Sequence, residues 1–469
     1  MKLWLYQFYV LSRLSWPFLI YDFDRSFVLE MQKAINPKLK GWAGVSLRVE
    51  NGLLFRAKEN FGLGITPIFD HFQRMQLIKC DLLQNSVDDS IRTLYKHREK
   101  LNSKCSRVWR ATNVSKVINS EVTLNLCFPG QSDKLGLGFG NFNPNPSAEE
   151  RRKMITNKAQ SFSEQKRLKH SLTLKQQGVW LQWAEKALPF DFSWKNLIWS
   201  PFSKVARFVL NASVNWLKTP SLLKLWGLSE TSSCFLCSSQ QCTLHHILSN
   251  CPFALSSKRY TWRHDSILLC LKTPFEKQLS ICNSEKWSFK TPHISKSFVP
   301  AERKQTQRCA AKVRRKCDLD GSDDWKILID FDGEQIVFPP EIISTSERPD
   351  IIIWSHASRK VLLIELTCPA EEGIDAAKIR KETKYMDLIN QISEFTNWKV
   401  SFMTVEVGAR GFVGKSLWNC LGKLGFSHSA STKICKSVSL IAAKCSYAIY
   451  LASRSRNWDA LRPLLACED

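Results

Sequence analysis

The sequence lacks an apolar run of the roughly 20 residues that a bilayer span needs. The best late stretch, Val438 to Ala452, is short and interrupted by Lys444, so it reads as a buried core helix, and no membrane partner is expected. The N-terminal apolar stretch imitates a signal peptide, but Gln7 and Arg13 break it and no small-residue cleavage site follows; Trp16-Pro17, Asp22 and Asp24 come instead. Internal repeats are absent. Negative charge is scarce: 43 Asp and Glu stand against 67 Lys and Arg, a formal net charge of +24 over 469 residues. An excess that large favours a polyanionic partner through counterion release from phosphates. In other respects the composition is that of a globular chain of two to three domains, with 44% hydrophobic and 23% charged residues.

The 16 cysteines are mostly scattered among apolar residues rather than arranged as a disulfide framework. One group is different. Cys234-Phe-Leu-Cys237 and His246-Ile-Leu-Ser-Asn-Cys251 have CX2CX8HX4C spacing. Two thiolates on a tight turn and a His and Cys from the next element can complete a zinc tetrahedron. Cys242 and His245 are possible substitutes. Four protein ligands close the coordination sphere, so this zinc is expected to be structural, in a reducing, intracellular compartment.

Residues 1–125 carry helical periodicity. Leu3, Leu5, Phe8, Val10 and Leu11 begin one helix; Phe27, Val28, Met31 and Ile35 mark another, ended by Pro37 and the Lys40-Gly41-Trp42 turn. From Pro129 to Ser147 the chain turns to Gly, Asn and Pro. Gly136, Gly138 and Gly140 lie there, but Asn-Pro-Asn-Pro follows them, so they mark a linker rather than a phosphate loop. Residues 126–229 thus form a linker region with a basic helix (Arg151, Arg152, Lys153, Lys158, Lys166, Arg167, Lys169) and tryptophans at 180, 183, 194, 199, 216 and 226. Such residues can stack on single strands or fill a helical core. The knuckle occupies 230–256.

In residues 257–460 the pattern changes after about residue 300. A basic helix, Arg303 to Lys316, ends on Arg314, Arg315 and Lys316, which are expected to contact nucleic acid. Strand-like runs follow at 327–331, 335–338, 350–354 and 361–367, then a helix from about Ile374 to Phe395 and a strand from Val400 to Val407. This is an α/β order. If the 355–360 hairpin is symmetric about Ala357 and Ser358, Asp350 lies opposite Glu365, with Cβ atoms about 5 Å apart. Two facing carboxylates repel unless a cation lies between them, and Mg²⁺ suits few carboxylates plus water and phosphate oxygens. A surface pair of acids at strand ends has the same spacing. The next helix carries Lys381 and Lys384, which share a face with Ala377 and Leu388 and can bring an ammonium toward the acids.

Taken together, these residues resemble the restriction-like endonuclease of site-specific non-LTR retrotransposons, a branch of the PD-(D/E)XK nucleases. That family places a CCHC knuckle first, then an Arg-His-Asp or Arg-His-Asn triplet, a Pro-Asp, an acidic residue a dozen or so positions on, and a Lys-Tyr in the following helix. Here these are Arg263-His264-Asp265, Pro349-Asp350, Glu365 and Lys384-Tyr385. The segments KLWLYQFYVLSRLSWPFLIYDFD, LKGWAGV and GLGITPIFDHFQRMQLIK are similar to the reverse-transcriptase thumb of the same polyproteins. The resemblance implies a multidomain chain: a mostly α thumb-like and linker region, a small zinc knuckle, and an α/β PD-(D/E)XK domain. It implies catalysis by Asp350, Glu365, Lys384, Lys381 and Tyr385 with Mg²⁺ or Mn²⁺, nucleic-acid contacts from Arg263 and His264, target DNA and element RNA as partners, and a nuclear location. The third motif, Glu365-Leu366-Thr367, lacks the usual lysine, whose role passes to Lys384 or Lys381. No polymerase site is expected: Tyr21-Asp22-Phe23-Asp24 has the wrong order, and Val87-Asp88-Asp89 lies in a helical pattern. The alternative is a catalytically inactive nucleic-acid-binding fragment.

Overall fold

The computed structural model describes residues 2–101, 147–183, 203–284, 317–331 and 337–459. The chain divides into two compact units, Met1–Ala184 with Val214–Trp216, and Glu185–Ser213 with Leu217–Asp469. It is mostly helical, with one small mixed sheet.

In the first unit, a π-helical turn at Leu5–Val10 leads into α1, Leu11–Ile20; then come α2, Arg25–Ala43, α3, Ile68–Gln84, and α4, Ala148–Leu172. The helix expected from Leu3, Leu5, Phe8, Val10 and Leu11 is present, but only some of these residues are buried. Leu3, Tyr6 and Leu11 are buried, while Leu5, Phe8 and Val10 are exposed. Polar bonds set this rotation: Tyr6 donates to the Thr66 carbonyl at 2.9 Å, and Gln7 donates to the Thr66 hydroxyl at 3.0 Å and accepts from its N–H at 2.9 Å. Helix α2 also runs past Pro37 and through the expected turn, stopping where Gly44 takes φ +69°, the left-handed conformation that closes a helix. Lys40 then ties the exit by donating to the Leu47 and Val49 carbonyls at 2.8 and 2.6 Å. Helix α4 opens with a Ser147/Glu150 capping box. It packs on α3 through Ala159 and Leu77, and Arg151 pairs with Asp81 at 3.2 Å. The basic helix expected in the linker is therefore part of this helical unit.

The second unit contains α5, Ser203–Ser213; α6, Arg259–Ser284; β1, Lys326–Ile329; β2, Ile351–Ser355; β3, Lys360–Thr367; α7, Ile374–Phe395; β4, Lys399–Glu406; α8, Lys415–Lys423; and α9, His428–Leu451. The sheet order is β1-β2-β3-β4, antiparallel up to β3, with β4 parallel to β3 after the α7 crossover. Val337 and Phe338 lie in no strand, and residues 332–336 are outside the described residues, as is the expected helix 303–316.

Runs rich in Ile, Leu and Val can be buried on both faces of a sheet, and β2 and β3 are. Ile351, Ile353, Leu362 and Ile364 pack with Leu271, Phe275, Leu417 and Val438 from α6, α8 and α9. Ile352, Trp354, Val361 and Leu363 pack with Tyr385, Leu388 and Ile392 of α7. Unlike the short stretch expected from the sequence, helix α9 is long and apolar enough to cross a membrane by length and composition. Its buried stripe of Ile434, Val438, Ala442, Cys445 and Ile449 packs within this unit, as expected of a core helix.

Candidate metal centres

The CxxC turn is built by short backbone bonds: Ser238 N–H donates to the Cys234 carbonyl at 2.9 Å, and Cys234 N–H to the Ser239 carbonyl at 2.8 Å, with Ser238 at φ +60°. His246 starts a π-helical turn, His246–Asn250, and Cys251 precedes the helix Pro252–Ser256. The four donor atoms of Cys234, Cys237, His246 and Cys251 all lie within 4.8 Å of one another. Two of the edges measure 3.9 Å (Cys234 to Cys251) and 3.3 Å (Cys237 to His246 Nε2). A tetrahedron with Zn–S bonds of about 2.3 Å has S–S edges of about 3.8 Å, close to the Cys234–Cys251 separation, so the donor set fits zinc. The alternatives fall away on geometry. His245 is turned to Glu372 (Nδ1 to Oε2, 3.7 Å), with Asn250 on its other nitrogen at 3.0 Å. Cys242 is buried beside the cluster but outside the four-atom group.

The second cluster lies on the α7 face of the sheet. Register Ile351↔Ile364 through Ser355↔Lys360 continues one residue to place Asp350 opposite Glu365, as the symmetric hairpin required. Both side chains are on the face shared by Ile352, Trp354, Val361 and Leu363. They are cross-linked: Asp350 N–H donates to Glu365 Oε2 at 3.1 Å, and Leu366 N–H donates to Asp350 Oδ2 at 2.7 Å. Burial first, and then the Asp350 charge, push the Glu365 carboxyl above its ordinary range, while Lys381 pulls it down.

The two lysines part company. The buried stripe of α7 is Ile374, Ala377, Tyr385, Leu388 and Ile392, and Lys381 falls on its centre. Its ammonium pairs with Glu365 Oε1. Lys384 stands at the stripe's edge, half exposed, bonded to Glu347 Oε2 at 3.3 Å and the Tyr385 hydroxyl at 3.1 Å. Lys384 therefore does not meet the acids. Tyr385 is buried and donates to the Arg348 carbonyl at 2.7 Å, fixing the chain just before Asp350.

The Arg-His-Asp triplet on α6 also divides. His264 Nε2 lies 3.2 Å from Asp350 Oδ2, and Nδ1 lies 3.1 Å from Asp265. Burial opposes its charge, yet hydrogen bonds to Asp265 and Asp350 prevail and raise its pKa to about 10. Its place is beside the carboxylates. Arg263 corrects the expectation of a nucleic-acid contact: it is 1% exposed, its guanidinium spent on Ser446 Oγ at 3.1 Å and the Cys368 carbonyl at 2.7 Å. Arg314, Arg315 and Lys316 lie outside the described residues.

Two neighbours escaped the sequence reading. Thr367, where the usual motif has lysine, and Glu406, its partner in the β3–β4 register, lie on the same face. Both are buried, and Thr367 Oγ1 and Glu406 Oε1 have no hydrogen-bond partner among the described residues. Only the parallel pairing of a distant strand brings Glu406 here, and no local spacing announces that.

Residues 177–257 match the family described as zinc-binding in reverse transcriptase. This match supports a retrotransposon-related origin. The matched segment contains the whole Cys3His cluster, so the family and the donor geometry agree on structural zinc. No curated protein matches the chain.

Proposed function

We propose that this retrotransposon-related chain is a DNA endonuclease of the PD-(D/E)XK type, nicking target DNA by divalent-metal-dependent phosphodiester hydrolysis. The observation that carries the reading is the convergence of Asp350, Glu365 and Lys381 on one sheet face. Asp350 and Glu365 would hold Mg²⁺ or Mn²⁺, which when bound polarises the phosphate and acidifies a water. The donor set fits: two buried carboxylates at facing positions, with Asp350 Oδ2 and Glu365 Oε2 fixed by backbone N–H groups. Lys381 stabilises negative charge that grows on the phosphoryl oxygens. His264 and Tyr385 hold Asp350 and its approach in place.

The knuckle and the basic helix α4 supply nucleic-acid contacts, to target DNA and element RNA, in the nucleus. Reverse transcription is not assigned to this chain. Nicking of supercoiled plasmid by the purified protein, dependent on Mg²⁺ and stopped by chelator, tests the reading. One observation favours the second reading, a binding fragment without catalysis: Lys381 and His264 already pair with the two acids. Plasmid that is bound but never nicked selects it.

A further inference from the structure

The turn between two zinc ligands is fastened to the chain leaving the acid-bearing strand. Ser249, inside His246–Asn250, accepts a bond from Ala370 N–H at 2.6 Å. His245, next to a ligand, lies 3.7 Å from Glu372 Oε2. Glu372 is held in turn by Arg410 at 2.9 and 3.0 Å. Helix α6 spans the same junction. The Tyr260 hydroxyl lies 3.1 and 2.9 Å from the His246 and Ile247 carbonyls and accepts from Cys251 N–H at 3.1 Å. Nearby on the same helix, Arg263 reaches the Cys368 carbonyl. The segment so gripped, Cys368 to Gly373, has Glu365 and Thr367 just before it and the start of α7, with Lys381, just after. On its other side Ala409 N–H donates to the Pro369 carbonyl at 2.8 Å.

We propose that Ser249 and His245 are positioning residues through which the zinc-bound knuckle sets the placement of segment 368–373, and with it the Glu365–Lys381 pair. The inference rests on the nuclease reading for its consequence, although the coupling itself does not. Zinc ligation fixes both ends of the turn that presents Ser249, because His246 and Cys251 bracket it. Without the metal that turn loses its cross-link. Ala370, which is fully buried, then loses the acceptor for its N–H. The knuckle thus acts as a brace for the carboxylate site as well as a surface for nucleic acid.

Hydrogen exchange of the full chain tests this. The peptide covering 366–376 is followed in the zinc-loaded parent, after chelation, and in Ser249→Ala and Ser249→Thr, with zinc measured in each. Chelation and Ser249→Ala should each speed exchange there by about tenfold, the size expected for one lost hydrogen bond. Ser249→Ala should keep its zinc, and Ser249→Thr should restore protection. Nicking by Ser249→Ala should need more Mg²⁺ while DNA affinity stays unchanged. Unchanged exchange at 366–376 after chelation, or in zinc-loaded Ser249→Ala, overturns the proposal. A parent that never nicks yet shows the exchange response keeps the brace and overturns the nuclease reading alone.

Discussion

Arg410 is 2% exposed and sits between two glutamates. Its guanidinium donates to Glu371 Oε2 at 2.7 Å and to both Glu372 oxygens, and its own N–H donates to Glu371 Oε1 at 2.7 Å. Glu371 is fully buried, so Arg410→Met would strand a carboxylate with no counter-charge. Breaking a buried pair from one side costs about 3–5 kcal/mol, a large part of a domain's usual stability. Burial already pushes the Glu371 carboxyl upward with the arginine present, so the variant's Glu371 should take up a proton on folding. For a carboxyl raised in the folded state, the folded form binds more protons, and stability falls as pH climbs through and above the ordinary carboxyl range. The loss in Arg410→Met should therefore be smaller near pH 4 than at pH 7, and Glu371→Gln added to it should recover most of the loss. Urea titration followed by hydrogen exchange of the β3 amides measures this in the second unit. A loss below about 1 kcal/mol, or one independent of pH, would refute the reasoning.

The protein should carry one zinc per chain, and Cys237→Ala should lose it; elemental analysis showing full zinc in that variant removes the ligand assignment. Lys381→Ala should slow nicking by about 10²-fold with DNA affinity nearly unchanged, whereas Lys384→Ala should cost far less; the reverse order in a plasmid assay contradicts the geometry. Removing Arg314, Arg315 and Lys316 together should flatten the slope of log affinity against log salt by roughly one unit per lost phosphate contact, read by fluorescence anisotropy.

The zinc ligands were legible because all four lie within eighteen residues and their spacing alone dictates the geometry. The facing of Asp350 and Glu365 was legible because hairpin register follows from loop symmetry, a local property. The helix read from about Ile374 to Phe395 on its apolar periodicity is there, as Ile374–Phe395. Choosing between Lys381 and Lys384 was beyond periodicity, since both lie on one side of α7 and only its rotation against the sheet puts Lys381 at Glu365. The nucleic-acid contact expected of Arg263 came from the resemblance of the Arg-His-Asp triplet, and a motif match does not show that α6 buries this guanidinium against Ser446 of α9 and the Cys368 carbonyl. Which face of the first helix is buried was not legible, because Tyr6 and Gln7 answer to Thr66, far along the chain.

The central claim is that Asp350 and Glu365 hold a catalytic divalent ion, and Asp350→Ala tests it most directly. DNA affinity and plasmid nicking should be measured on the same preparation, with Mg²⁺ and with Mn²⁺. The account predicts a variant that binds DNA at least as tightly as the parent, since a negative charge facing phosphates is gone, yet fails to nick with either metal. An Asp350→Ala protein that nicks like the parent would contradict it.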